Sequence, residues 1–232
     1  NLIKELEKFK GESLNEDDLK SRLENTKNAS LYWEKILNLN KNGFKYSFQD
    51  HLFLMAPNVL ARGDEKLFEF YKLLYEKSKD EKEKEFKYRL WWEGMPVWGK
   101  IRYFKERFES LKIGVVGSTY CSSWVFNYKS NNLIKAMAEI YYKNLFITFS
   151  EEKKIQWLKR KAEEFNIDGF IFLEAKTCRS NTNTYFGIPQ IIYKETGIPY
   201  LILSGDMVDL RHFSEAETNL KIEAFLETIE KR

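Results

Sequence analysis

The apolar positions along this chain change their period partway. Up to residue 87 they recur every three to four residues, the spacing that lines one face of a helix. Leu2, Ile3, Leu6 and Phe9 form the first stripe, which Gly11 interrupts. Asn15 stands where a cap is needed for a second helix from Glu16 onward. Helical spacing returns over residues 28–39, with Leu31, Trp33, Ile36, Leu37 and Leu39, until Asn40-Lys41-Asn42-Gly43 closes it as a turn cluster. Residues 48–59 and 66–79 read as further helices. The charge-dense stretch 80–87 reads as a solvated helix end or a linker, and it separates a helical lead-in, 1–87, from a second region, 88–232.

Beyond residue 87 short apolar runs alternate with helical patterns. Residues 88–94, 112–118, 168–175 and 199–204 read as strands, built on runs such as Ile113-Gly114-Val115-Val116 and Gly169-Phe170-Ile171-Phe172-Leu173. Residues 97–111, 132–144, 151–165, 183–196 and 214–231 read as helices. Gly197 closes the fourth of these, and Ser214 with Glu217 carries a capping-box signature at the fifth. Strands that are apolar throughout, rather than alternating, belong to parallel sheets covered on both faces. The predicted fold class is therefore α/β, an open parallel sheet of about four strands with helices on both faces. That is a Rossmann- or flavodoxin-like lobe preceded by a helical region.

In such sheets ligands bind outside the carboxyl ends of the strands, near the point where strand order reverses. The segments following the strands are thus the candidate site. Glu93 ends the first strand and is a candidate acid, base or hydrogen-bonding group. Ser118-Thr119-Tyr120-Cys121-Ser122-Ser123-Trp124 follows the second, with Ser118 and Tyr120 as candidate substrate contacts and Cys121 as a candidate soft ligand. The same hydroxyl-rich loop also reads as one that caps its own backbone. Lys176-Thr177-Cys178-Arg179 follows the third strand. There Cys178 reads either as a partly buried structural thiol or as a reactive one, activated by Arg179 and by the amides of the following helix. Asp206 follows the fourth strand as a candidate substrate contact, whereas Asp209 and Arg211 read as a structural pair. Trp91, Trp92 and Trp98 read as core or interface, and His51 and His212 are too scattered for a metal triad.

Composition narrows the choice. Hydrophobic residues make up 43% of the 232, enough for a large core, and the net charge is only +3. With a pI near 8.6 the chain lacks the basic excess of a nucleic-acid binder. No apolar run reaches the roughly 18 residues of a membrane span, and no signal peptide is evident. With no export signal, the two cysteines, Cys121 and Cys178, point to a reducing cytoplasm rather than a disulfide framework, and they form no C-x-x-C pair of the zinc or thioredoxin kind. The dinucleotide-binding and Walker A glycine patterns are both missing.

Several blocks then carry a resemblance. Asp168-Gly169-Phe170-Ile171 runs into Lys176-Thr177-Cys178-Arg179. Thr196-Gly197-Ile198-Pro199-Tyr200-Leu201 leads to Gly205-Asp206 and Asp209-Leu210-Arg211-His212-Phe213-Ser214. Lys221-Ile222-Glu223-Ala224-Phe225-Leu226-Glu227 closes the chain, while Arg89-Leu90-Trp91-Trp92-Glu93-Gly94 and Gly117-Ser118-Thr119-Tyr120 lie upstream. In this order they resemble the C-terminal part of the 2-hydroxyacyl-CoA dehydratase D-component and benzoyl-CoA reductase family. The resemblance covers residues 88–232, and 1–87 match more loosely.

The resemblance implies paired subunits and a [4Fe–4S] or related cluster held by cysteines of two lobes, with Cys178 as one ligand. It also implies an acyl-CoA substrate and an ATP-dependent activator protein that supplies an electron. The partner would be a second homologous subunit or another copy of the chain. The family's N-terminal cluster-binding lobe has no counterpart here, so the chain taken alone is expected to be apo and inactive. Two alternatives accompany this reading: a homodimeric double-cubane cluster reductase relative, and a cluster-free α/β binding or scaffold lobe.

Overall fold

A computed structural model of the protein describes residues 2–144, 150–182 and 186–232. Its centre is a four-stranded sheet of β1 (Tyr88–Glu93), β2 (Ile113–Ser118), β3 (Gly169–Ala175) and β4 (Tyr200–Gly205), in the order β2-β1-β3-β4. All three strand pairings are parallel, so every connection must cross a face of the sheet. The α/β class expected from the sequence is the fold observed.

The connections and flanks are helical: α1 (Leu2–Lys10), α2 (Glu16–Asn38), α3 (Phe48–Leu60), α4 (Glu65–Ser78), α5 (Ile101–Ser110), α6 (Thr119–Ser122), α7 (Leu133–Tyr142), α8 (Glu151–Phe165), α9 (Arg179–Thr182), α10 (Ile188–Thr196) and α11 (Glu215–Glu230). Asn15 caps α2 as expected, its side chain accepting from the Asp18 amide. No breaker lies between Glu16 and Asn38, so the two helical patterns read there are one helix. Ser47 and Asp50 form a reciprocal capping box at α3.

The pleat sends alternate residues to opposite faces. Leu90, Trp92, Val115, Ile171, Leu173, Leu201 and Leu203 join one buried cluster with Phe104 and Phe108 of α5 and Ile222, Phe225 and Leu226 of α11. Trp33, Ile36, Phe48, Leu52 and Tyr71 of the helical lead-in belong to the same cluster, so residues 1–87 and the sheet share a core. Trp91, Val116, Phe170 and Phe172 point the other way, against Trp157, Leu158, Ala162 and Phe165 of α8 and Ile188 and Ile192 of α10. A register shift between Leu90 and Trp91 turns the end of β1 relative to β2 and sets Trp91 opposite Gly117. A Cβ at Gly117 would lie 2.4 Å from the Trp91 ring, which is why a glycine stands there.

Two helices differ from the sequence expectation. The helix read over 97–111 begins as a 3-10 turn, Trp98–Lys100, before α5. The helix read over 183–196 is α10, which starts at Ile188 with Pro189 in its first turn, where a missing N–H loses no helical bond. Residues 183–185 of that expectation lie outside the described residues. Gly197 closes α10 in the left-handed conformation, φ 70°.

Candidate functional site

Strand order reverses at β1: β2 lies on one side and β3 on the other. The crevice outside the carboxyl ends of β1 and β3 is therefore the switch point where ligands of such sheets bind. Glu93 ends β1 there, and the turn carrying Cys178 leaves β3 there.

Glu93 is fully buried. The Thr119 hydroxyl, at the start of α6, donates to Glu93 Oε2 and accepts from Trp91 Nε1 at 3.4 Å. Lys154 Nζ, from α8, lies 2.7 Å from Glu93 Oε1, a contact that is ionic rather than a well-aligned hydrogen bond. The Lys154 side chain is only 9% exposed, so the pair is out of water on both sides. The same ammonium donates to Asn181 Oδ1 of α9 at 3.3 Å. A buried lysine that meets a buried carboxylate neutralises a charge neither residue could carry there alone.

The Cys178 turn is held on its other flank as well. Asp206 is 2% exposed. Its Oδ2 accepts from the Thr177 amide at 2.9 Å and the Thr177 hydroxyl at 2.7 Å, and its Oδ1 from the amides of Val208 and Asp209. The Thr177 hydroxyl bond, followed by the backbone donors, holds the Asp206 carboxyl down at about 2. Within the turn the Cys178 amide donates to the Ala175 carbonyl, and the Cys178 carbonyl accepts from the Asn181 and Thr182 amides. Cys178 itself is half-buried and forms no disulfide. The helix that follows Cys178 is α9, a single turn whose Asn181 and Thr182 amides donate to the Cys178 carbonyl.

The other candidates fall in different places. Ser118 is buried, and its Oγ caps α6 by accepting from the Cys121 amide at 3.1 Å. Tyr120 is half-buried, with its ring edge-on to Trp98 and Trp124. Cys121 is fully buried among apolar side chains, and that burial pushes its thiol up to about 12. Cys121 is thus a neutral core group. Asp209 and Arg211 do pair, at 2.5 Å, with Arg211 86% exposed. His212 lies beside them, 3.9 Å from Asp209. Trp91 and Trp92 are core, and Trp98 is 40% exposed at the edge.

Lys154, Asn181 and Thr119 were not singled out from the sequence. One signal for Lys154 was present: it precedes Trp157, Leu158, Ala162 and Phe165 at helical spacing and so stands on the apolar stripe of α8. A lysine on a buried stripe calls for a buried anion.

An iron–sulfur cluster is usually held by several thiolates. These residues do not supply such a set: one thiol stands at the edge and the other is sealed in the core. Among the described residues no group of three or more His, Cys, Asp or Glu side chains is placed to hold a metal ion.

Comparison with known proteins bears on this arrangement. The family described as 2-hydroxyglutaryl-CoA dehydratase, D-component, matches residues 1–229, so the match takes in the helical lead-in as well as the sheet. The chain is 28% identical to the (R)-2-hydroxyisocaproyl-CoA dehydratase alpha subunit of Clostridioides difficile, over 82% of this chain and 47% of that one. It is 24% identical to the lactoyl-CoA dehydratase alpha subunit of Anaerotignum propionicum, over 99% and 56%. It is 27% identical to one of the benzoyl-CoA reductase subunits of Thauera aromatica, over 64% and 35%. The chain spans about half the length of these two dehydratase alpha subunits.

Proposed function

The chain belongs to the 2-hydroxyglutaryl-CoA dehydratase D-component family, and from that premise we propose that it serves an oxygen-sensitive iron–sulfur enzyme acting on acyl-CoA thioesters. The reaction proposed is a single-electron reduction of the thioester, leading to 2-hydroxyacyl-CoA dehydration or to a benzoyl-CoA-type reduction. The observation that carries this reading is the half-buried Cys178 thiol in the turn after β3, at the switch point of the sheet. Cys178 is proposed as one ligand of a [4Fe–4S] or related cluster. The remaining ligands then come from outside these 232 residues, because Cys121 is a neutral core thiol. No chemical step is assigned through the cluster to this chain's own residues.

What these residues do is hold the edge. Glu93, Thr119 and Lys154 close the end of β1, and Asp206 fixes Thr177 beside the proposed ligand. Ser118, Tyr120, Glu93 and Asp206 are proposed to shape the substrate site; three of them are buried and do so through the loops they brace. The relatives are named as subunits of larger enzymes, which supports a partner for this chain, homologous or identical. An ATP-dependent activator protein and a cytoplasmic site of action complete the reading. Among the described residues no helix is long and apolar enough to cross a membrane.

The cluster-free lobe is kept as a second reading because a single thiol stands at the edge. To decide, the protein is isolated from its own cells without oxygen, with whatever copurifies. It is then supplied with ATP, a low-potential reductant, an activator and a set of (R)-2-hydroxyacyl-CoA or aromatic acyl-CoA thioesters. Conversion to the 2-enoyl-CoA or ring-reduced product, followed by mass spectrometry, supports the enzyme. An isolated complex with neither iron nor turnover supports the scaffold lobe.

A further inference from the structure

We propose that Lys154 is a positioning residue that fixes the Cys178 turn against the end of β1. The proposal deepens the reading of Cys178 as a metal-binding thiolate and takes its importance from that reading. The turn is gripped on both sides by buried charged groups from different elements. Asp206, after β4, holds Thr177, the residue before Cys178. Lys154, from α8, holds Asn181, whose own amide closes the turn onto the Cys178 carbonyl. Lys154 is anchored in turn by Glu93, so the carboxyl ends of β1 and β3 are linked through a single ammonium group.

Three features favour positioning over simple core filling. The Lys154 side chain is 9% exposed, and nearby Lys153 shows that the same helix can place a lysine in solvent. A solvent-facing role would not require burial of that charge, which is expensive unless the charge is directed at specific partners. Asn181 is 6% exposed and sits in the one helical turn that follows Cys178, so what holds Asn181 also sets where the cysteine backbone lies. A compact ammonium can face a carboxylate and an amide oxygen at once, as Lys154 does with Glu93 and Asn181.

The test uses the full chain without iron, so that it reads the turn alone. Hydrogen exchange is followed by amide in wild type, Lys154→Met, Asn181→Leu and the exposed control Lys153→Met. The alkylation rate of Cys178 in the native state is measured alongside. In K154M the Asn181 and Thr182 amides are expected to exchange roughly tenfold faster, the equivalent of one charge-assisted hydrogen bond. Cys178 alkylation is expected to accelerate by several-fold. In N181L, which keeps the buried ion pair, the β3 amides should change much less than the turn amides, and K153M should match wild type. N181L keeps the Glu93–Lys154 pair and removes its link to the turn, so it should loosen the turn even if K154M proves too unstable to study. A uniform loss of protection in K154M, with an unmoved turn in N181L, would overturn the proposal and leave Lys154 as a core charge. Iron content in Cys178→Ser reads the metal assignment separately: a loosened turn with iron retained in C178S rejects the ligand and keeps the positioning, and the converse rejects the positioning alone.

Discussion

His51 provides a pH dependence that can be worked out in advance. It lies in α3, fully buried, edge-on to the Trp33 ring and near the Tyr46 ring. Among the described residues neither ring nitrogen has a hydrogen-bond partner. Burial, the largest influence, lowers its pKa from 6.5 to about 4; Asp50 opposes this and Lys84 adds to it. The fold thus favours neutral imidazole, and the unfolded chain binds the proton first. Stability is complete above about pH 6.5 and falls as the pH drops toward 4. From these values the loss between pH 8 and pH 5.5 is about 1.4 kcal/mol, since one proton contributes about 1.36 kcal/mol per pH unit in this window. The window avoids the carboxylates, whose depressed values matter only below their ordinary range. Asp206, for example, releases its contribution between its usual 3.8 and about 2. Urea unfolding at pH 8 and pH 5.5, on wild type and His51→Phe, reads the effect. The phenyl ring keeps the aromatic packing and cannot titrate. The reasoning is refuted if H51F loses as much stability over this interval as the wild type does.

Four further outcomes are expected. Lys154→Met strands the buried Glu93 carboxylate and should cost about 3–5 kcal/mol in denaturant unfolding, while the double variant with Glu93→Leu recovers part of that loss. Gly117→Ala brings a methyl group within 2.4 Å of the Trp91 ring and should cost about 1–3 kcal/mol by the same assay. Native protein treated with iodoacetamide should gain one adduct, on Cys178, with Cys121 labelled only in denaturant; peptide mass spectrometry distinguishes the two. Asp206→Ala removes four acceptor contacts from the loops after β3 and β4 and should destabilise the fold by about 1–3 kcal/mol, visible as a lower thermal midpoint.

Parts of this structure could be read from the sequence because their burial is simple. Strands covered on both faces leave continuous apolar runs, and all four runs became strands within a residue or two. Residues 151–165 form a helix at the predicted limits because Ser150 caps one end and Asn166 turns left-handed at the other. The packing partner of an amphipathic face is not written in its period. Trp33, Phe48 and Tyr71 read as a separate helical lead-in, yet they share a core with Leu90 and Trp92. The site divides in the same way. The edge positions of Glu93, Cys178 and Asp206 follow from the strand ends, but their contacts depend on strand order and on α8. The order β2-β1-β3-β4 brings the Cys178 turn beside the end of β1, and that adjacency lets Lys154 reach both Glu93 and Asn181. Cys121, one turn into α6, faces the core because Ser118 caps that helix and directs it inward.

Cys178 is proposed to mark the cluster end of this dehydratase-family component. Iron and acid-labile sulfide per chain test it most directly, in protein isolated from its own cells without oxygen as wild type, Cys178→Ser and Cys121→Ser. The account predicts that C178S loses most of its iron and sulfide while folded C121S keeps the wild-type amount. Wild-type iron and sulfide in C178S would contradict it.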